Sequence, residues 1–263
     1  MAEITAEKPG AEESPASMKT VVAASSAGTA FEWYDFFVFG ALASIIGKNF
    51  FAELGETAGV LAALALFGAG FFFRPLGALI FGRIGDKKGR KGAFLITVIL
   101  MGGATFAIGL LPTFAQAGPI APVLLVLMRI IQGTALGGEY GGAAIYVAEH
   151  SPAHRRGTMT GWIQTSAAFG LFGALIVVLV TRTLIGEEAF TAWGWRIPFL
   201  VSAGLLVVSV FMRLKLSESP SFQKLKDAGE QTKAPFKEAF GEWKNLKIVL
   251  LALFALMFAQ GAV

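Results

Sequence analysis

Seven long apolar runs divide this chain of 263 residues. A helix that crosses the roughly 30 Å hydrocarbon layer of a membrane needs about 20 largely apolar residues. Apolar residues make up 55% of the chain and charged residues only 15%, a balance that a soluble globule of this size would not carry. The sequence therefore predicts an all-α membrane protein. The runs are Thr20 to Gly47, Ala58 to Phe81, Gly92 to Pro112, Pro122 to Ala148, Gly157 to Thr181, Trp193 to Leu214 and Leu246 to Val263.

Composition divides the chain into four predicted parts. Residues 1–19 are polar and lack the basic and apolar regions of a signal peptide, so they are predicted to form a cytosolic tail. Residues 20–216 are predicted to form a six-helix transmembrane bundle. Residues 217–245 are charged and interrupted by prolines, which indicates a cytosolic linker. Residues 246–263 are predicted to be an incomplete seventh helix.

The basic residues predict an orientation for the bundle. Of the 22 Lys and Arg residues, 17 fall on the predicted cytoplasmic side and 3 on the opposite side. Short cytoplasmic loops carry an excess of Lys and Arg in membrane proteins. We therefore expect a multi-pass protein of the inner (plasma) membrane with a cytoplasmic N-terminus, surrounded by the lipid bilayer. Because the basic residues lie in alternate loops, no nucleic acid partner is expected.

Five charged side chains fall well inside the predicted spans, away from the ends of the runs. A charged side chain at the bilayer centre costs about 2.5 kcal/mol or more, so such residues usually face a polar interior. They are therefore candidates for a substrate or proton pathway, although a purely structural role in holding helices together is the alternative. The five residues are Glu32, Asp35, Arg74, Arg129 and Glu139.

Depth counting predicts a partner for Arg129. At about 1.5 Å per residue, Asp35 in the first run and Arg129 in the fourth lie at nearly the same height in the membrane. Glu32 shares a helix face with Asp35. We therefore predict an ion pair between Arg129 and these two carboxylates, with Gln132 about one turn further along.

The same count places Arg74 and Glu139 at a common height, so the two are predicted to pair. The alternative for Arg74 is a side chain that reaches the inner headgroups. A carboxylate beside an arginine suits proton coupling, because protonation of the carboxylate releases the arginine to bind an anion.

A short basic segment joins the second and third runs. It reads Gly82-Arg-Ile-Gly-Asp86-Lys-Lys-Gly89-Arg90-Lys91. Glycine suits the tight turn of a short hairpin, and Asp86 is able to accept bonds from a helix N-terminus. A merely solvated basic loop is the alternative interpretation. The spacing of its glycines, aspartate and basic residues resembles the loop signature of the major facilitator superfamily.

Two more segments extend the resemblance to this superfamily. Arg129-Ile-Ile-Gln132-Gly133 is similar to its second signature, and Glu149 lies where the resemblance implies a glutamate bonded to the loop arginine, here Arg90. The resemblance implies that Gly82, Asp86, Gly89, Arg90 and Glu149 form a gating loop. It also implies a bundle of two inverted three-helix units.

Finer segments resemble the metabolite:proton symporter branch, which carries 2-oxoglutarate, citrate, shikimate, or proline and betaine. These segments are Glu32-Trp-Tyr-Asp-Phe36, Phe73-Arg-Pro-Leu-Gly77, Gly137-Gly-Glu139 and Glu218-Ser-Pro220. The branch has twelve helices in two bundles, so this chain is expected to be an N-terminal fragment whose partner is the missing C-terminal half. The resemblance implies secondary transport, by alternating access, of a small-molecule substrate that is an organic acid or a zwitterionic osmolyte.

Alternatives to transport remain at this point. A membrane channel and an inactive truncated product are the competing interpretations. No enzyme is expected, because motifs of nucleophilic, phosphate-binding and zinc-dependent catalysis are missing from the sequence. No metal site and no cofactor are expected, apart from the proton as coupling ion.

Overall fold

The computed structural model describes residues 18–215 and parts of the chain beyond them. The later described residues are 218, 223, 227, 228 and 240–251, and the side chains of 18–21, 24, 88, 90, 140 and 141 are not described. The described part is helical and contains no strand. This confirms the predicted all-α fold.

Ten α-helices follow one another in residues 18–215. Their bounds are α1 Met18–Ala41, α2 Ala43–Phe50, α3 Glu56–Phe72, α4 Arg74–Lys88, α5 Arg90–Leu110, α6 Phe114–Ala117, α7 Ile120–His150, α8 Arg156–Ile185, α9 Glu187–Ala189 and α10 Arg196–Leu214. Short 3₁₀ turns occupy Ala52–Leu54 and Ala153–Arg155, and a π-helical turn occupies Phe190–Gly194.

These helices form six candidate membrane spans in the described part of the chain. Span 1 is α1 with α2, which meet at a bend of 61°. Span 2 is α3 with α4, and spans 3 to 6 are α5, α7, α8 and α10. The first six apolar runs therefore correspond to helices. Of the predicted seventh run, residues 246–251 are helical and residues 252–263 lie outside the described residues.

The packing of the spans repeats between the two halves of the bundle. Span 1 packs along span 5, span 2 packs along span 4, and span 3 packs along span 6. Exchanging spans 1–3 with spans 4–6 leaves this set of pairs unchanged. Because spans 1 and 4 run in opposite directions, the pattern is that of two inverted three-helix units.

Large apolar side chains cover the outside of the bundle. Phe72 is 81% exposed and Leu184 is 79% exposed. Exposure of such apolar side chains is unfavourable in water but not in lipid. The buried interior instead contains polar and charged side chains, among them Glu32, Asp35 and Arg129. This reversal of the usual arrangement places the candidate site inside the bundle.

Spans 2 and 4 touch through their backbones. A Cβ atom added at Gly77 would overlap the backbone of Thr134, and one added at Gly137 would overlap the backbone of Arg74. Only glycine permits this approach, and small residues have this role in many membrane helix pairs. The contact fixes the position of Arg74 relative to span 4.

The predicted loop between spans 2 and 3 is wrong in its extent. Helix α4 continues to Lys88, and α5 begins at Arg90, so the connection is the single residue Gly89 with φ of 101°. The hydropathy falls after Phe81 because the chain reaches the membrane surface there. The helix does not end at that point, since polar residues with good helix propensity can continue a helix into water. Gly89 supplies the turn, since its positive φ disfavours other residues.

Candidate functional site

The carboxylate cluster is a buried ion-pair network around Arg213, in the last turn of α10. Arg213 Nη2 donates to Glu32 Oε1 at 2.8 Å and also to Glu139 Oε1. All three side chains are buried, with Glu139 only 1% exposed. One guanidinium nitrogen thereby joins spans 1, 4 and 6.

Span 3 completes the carboxylate cluster. The Thr97 hydroxyl donates to Glu139 Oε2 at 2.6 Å. Arg213 Nη1 donates to the Phe94 carbonyl at 3.4 Å, and its guanidinium lies 5.4 Å from the centre of the Phe94 ring. Four of the six spans therefore meet at this arginine.

Both predicted ion pairs are wrong in the described structure. Arg129 does not pair with the carboxylates of span 1, and Arg74 does not pair with Glu139, because Arg213 takes Glu32 and Glu139 instead. Counting residues gives the height of a side chain but not the direction in which it leaves its helix. Arg213 was not among the predicted candidates because it lies at the end of the sixth run, whereas its long side chain extends back from the helix end into the bundle.

A sequence signal for Arg213 was present. Ser202, Ser209 and Arg213 are separated by seven and four residues, which places them on one face of a helix, and all three are buried. Polar residues that recur on one face of a membrane helix indicate an inward face. This periodicity continues to the end of the run and predicts that Arg213 faces the inside of the bundle.

The aromatic cluster is a second, partly buried region, built around Arg74 and Arg129. The guanidinium groups of Arg74 and Arg129 lie 4.9 Å and 5.2 Å from the centre of the Phe36 ring. Arg74 also lies 3.9 Å from the Phe71 ring, and Arg129 lies 4.1 Å from the Phe39 ring. The remaining rings of the cluster are those of Trp33 and Phe67.

The two guanidinium groups in the aromatic cluster have N–H donors without partners, although Arg129 Nη2 donates to the Phe67 carbonyl at 3.1 Å. Within the described residues, neither has a carboxylate within 4.0 Å. Arg74 Nε and Nη2 and Arg129 Nε are buried atoms without a hydrogen-bond partner. Cation–π contacts compensate a buried guanidinium only partly, so these donors would bind an anionic group strongly.

A chain of hydrogen bonds runs from Arg129 toward Asp35. Arg129 Nη1 donates to Gln132 Oε1 at 2.9 Å, and Gln132 Nε2 donates to the Thr105 hydroxyl at 2.7 Å. Thr105 lies next to the carboxyl of Asp35, but its hydroxyl proton is donated to the Met101 carbonyl at 3.0 Å. The chain therefore ends beside Asp35 without a bond to the carboxyl, with Gln132 beside Arg129 as its spacing predicted.

Asp35 is buried and has an oxygen without a partner. The carboxylate is 5% exposed, and its Oδ1 atom forms no hydrogen bond in the described structure. A buried polar atom usually has a hydrogen-bond partner, so this oxygen is a candidate to bind a proton or a water molecule. Because Asp35 lies beside Thr105, a proton at Asp35 would act on the chain that begins at Arg129.

The residues of the predicted gating loop lie at the same end of the bundle as Arg213. Gly82 and Asp86 lie in α4, Gly89 forms the turn, and Glu149 lies in the last turn of α7. Asp86 and Glu149 both have interaction partners. The Arg90 side chain is not among those described, so its bond to Glu149 stays a prediction.

Sequence reasoning missed a latch between spans 3 and 6. The Glu218 carboxylate accepts two bonds of 3.3 Å from the backbone N–H of Lys91, in the first turn of α5. Lys91 Nζ donates to the carbonyl of Leu214 at 2.8 Å, at the end of α10. A carboxylate at a helix N-terminus satisfies free backbone donors and interacts favourably with the helix dipole.

Comparison with known proteins assigns the fold and the family. The family description "Sugar (and other) transporter" matches residues 20–260. The proline/betaine transporter of Salmonella typhimurium is 42% identical over 240 residues, which cover 87% of this chain and 48% of that protein. The shikimate transporter of Escherichia coli is 40% identical over 238 residues, covering 89% of this chain and 54% of that protein.

Solved structures share the arrangement of helices. The partially occluded, inward-open xylose transporter XylE from E. coli superposes with a TM-score of 0.69 at 20% identity, covering 93% of this chain and 60% of that one. A related structure is described as a proton:xylose symporter of the major facilitator superfamily. This chain spans about half the length of the curated relatives it matches. It is a multi-pass membrane protein that belongs to the sugar (and other) transporter family, a family of transporters rather than enzymes.

Proposed function

We propose that this chain forms the N-terminal bundle of a secondary transporter that moves a small solute bearing a carboxylate together with protons. The solute is an organic acid or a zwitterionic osmolyte, and transport proceeds by alternating access against a second six-helix bundle. The proposal places the N-terminus in the cytoplasm of a cell with an inner membrane, in agreement with the distribution of Lys and Arg.

The proposal rests mainly on the two guanidinium groups beside Phe36, which have N–H donors without hydrogen-bond partners. Arg74 and Arg129 offer unpartnered N–H donors inside a bundle whose outside is apolar. A carboxylate accepts paired bonds from a guanidinium, which gives both strength and orientation. The surrounding rings would suit the ammonium group of a zwitterion, because a cation is attracted to an aromatic face.

Proton coupling is assigned to Asp35. Its carboxyl lies beside Thr105, where the hydrogen-bond chain from Arg129 ends, so a negative charge at Asp35 would draw the Thr105 hydroxyl away from the Met101 carbonyl and alter the contacts of Gln132 and Arg129. Ionisable residues within membrane spans are characteristic of proton pathways. The relatives support the solute class, since they include transporters of proline and betaine and of shikimate.

Uptake into proteoliposomes tests the proposal. Because the chain spans about half of its relatives, it is studied as a chimera in which it replaces the matching segment of the Salmonella typhimurium proline/betaine transporter. We expect a proton gradient to drive saturable uptake of proline, betaine or shikimate, and a protonophore to abolish it. Arg74→Gln should lower uptake at least about tenfold, and Asp35→Asn should remove the response to the gradient.

The matched control is Lys48→Gln, which removes a half-exposed cation paired with Glu56 far from the site. This variant should transport normally. A chimera that inserts and folds but takes up none of the solutes would contradict the proposal. Non-saturating flux that ignores the proton gradient would also contradict it and would favour a channel.

A further inference from the structure

The carboxylate cluster contains more negative than positive groups. Glu32 and Glu139 both bond to one nitrogen of Arg213, so their oxygens lie close together around a single positive charge. If both were ionised, the buried site would carry an excess negative charge. Repulsion between two carboxylates that share one site favours a state in which the pair holds a single proton.

A small cavity adjoins the carboxylate cluster. It lies between spans 1, 3 and 6, and it has room for about one water molecule. Glu32, Asp35 and Ser209 all line it, and each contributes a buried polar atom that has no partner: Glu32 Oε2, Asp35 Oδ1 and Ser209 Oγ. Buried water typically forms about three hydrogen bonds to otherwise unsatisfied polar groups. Three residues with such atoms line this cavity.

We propose that Glu32 and Glu139 share one proton beside Arg213, and that a water molecule in the cavity connects this second protonation site to Asp35. When the shared proton leaves the two glutamates, the water accepts a proton from the Asp35 carboxyl while it donates its own proton to Glu32 Oε2, which refills the shared site. It therefore remains neutral, and the net change is one proton moved along span 1. Ser209 accepts or donates the third bond and fixes the orientation of the water.

The groups that face this site are few. Span 1 provides Glu32 and Asp35, span 4 provides Glu139, span 6 provides Arg213, and span 3 provides only the Thr97 hydroxyl among polar side chains. Span 5 contributes no ionisable side chain here, because its ionisable residues are two arginines at its ends. No other described cation pairs with the two glutamates.

Infrared spectroscopy of the 263-residue chain in lipid nanodiscs tests the shared proton. Asp35→Asn serves as the background, so that Asp35 cannot contribute a signal. The C=O stretch of a protonated carboxyl should be present at neutral pH and should be lost on adding either Glu32→Gln or Glu139→Gln, because the remaining carboxylate then pairs one to one with Arg213. Adding Glu56→Gln, which alters an exposed carboxylate, should leave the band unchanged.

The outcomes are distinct. Absence of the band in the background protein, or its loss with only one of the two glutamate variants, would overturn the shared proton. Circular dichroism on each variant establishes that it is folded. The proton's role in coupling rests on the proposed function, but this measurement needs no transport, so a chimera without uptake would leave the infrared result standing.

The water molecule has its own test. Ser209→Val replaces the hydroxyl with methyl groups and fills the cavity. With Asp35 intact, an infrared difference spectrum between acidic and neutral pH should contain a water band that shifts in H₂¹⁸O, and Ser209→Val should remove it. The absence of a shifted band in the unaltered chain, or its persistence in Ser209→Val, would overturn the water connection.

Discussion

The carboxylate cluster and the aromatic cluster both bury arginine, and they neutralise it in opposite ways. Arg213 is held by two glutamates, whereas Arg74 and Arg129 lie against aromatic rings and retain unpartnered donors. Removal of one partner from a buried ion pair leaves an uncompensated charge, which is strongly destabilising. Removal of a cation from an aromatic site leaves no such charge. From this difference we infer that Arg213 stabilises the bundle, and we propose that the other two arginines bind a ligand.

Arg213→Gln should cause the largest loss of stability among these variants, because it disrupts the carboxylate cluster. It leaves Glu32 and Glu139 buried without a cation, so the free energy of unfolding should fall by about 3–5 kcal/mol. Thermal or denaturant unfolding in detergent micelles, followed by tryptophan fluorescence, measures the change. Arg182→Gln removes an exposed arginine paired with Glu187 and should cause no comparable loss. Equal effects from both variants would break the comparison.

Gly137→Ala disturbs the aromatic cluster through the backbone. The added Cβ would overlap the backbone of Arg74, so spans 2 and 4 must separate, at a cost of about 1–3 kcal/mol. The same unfolding measurement applies. Gly103→Ala is the matched control, because a Cβ there meets nothing within 4 Å. A destabilisation from Gly103→Ala as large as that from Gly137→Ala would contradict the close contact.

Arg74→Gln should separate stability from function. It removes cation–π contacts with Phe71 and Phe36 and leaves no buried carboxylate behind, so the free energy of unfolding should change by only about 1 kcal/mol. Uptake by the chimera should nevertheless be lost. A loss of stability as large as that of Arg213→Gln would indicate that Arg74 has a structural partner and would remove the contrast between the clusters.

Glu218→Gln should have the smallest effect and should act locally. It weakens the bonds to the Lys91 N–H at the start of α5, at a cost of about 0.3–1 kcal/mol. Amide hydrogen exchange should quicken at the start of span 3, near the carboxylate cluster, and stay unchanged around Phe36. Glu53→Gln, in an exposed turn, is the control. Unchanged exchange at Lys91 would contradict the latch.

Much of the fold could be predicted from the sequence, because the length and polarity of a membrane helix are set by the bilayer. The six runs correspond to spans, and the charged residues picked from them are buried, apart from the half-buried Arg74. The extent of the connection at Gly89 could not be predicted, since a helix continues past the membrane surface without a change in hydropathy that marks its end.

The pairing inside the site was not predictable by counting. Glu139 and Arg74 share a predicted height, but the direction of each side chain depends on how the helices pack, which no single helix encodes. The glutamate instead reaches Arg213, whose position at the end of a run suggested the surface. The indirect link from Arg129 to Asp35 depends on Thr105, an ordinary residue of span 3 that carries no signal on its own.

A double-mutant cycle on Glu139 tests this account most directly. The cycle combines Glu139→Gln with Arg213→Gln in one arm and with Arg74→Gln in the other, and it measures the free energy of unfolding of each single and double variant in micelles. We predict a coupling energy of about 2 kcal/mol between Glu139 and Arg213, and one close to zero between Glu139 and Arg74. A large coupling to Arg74 with none to Arg213 would contradict the account and restore the ion pair that residue counting predicts.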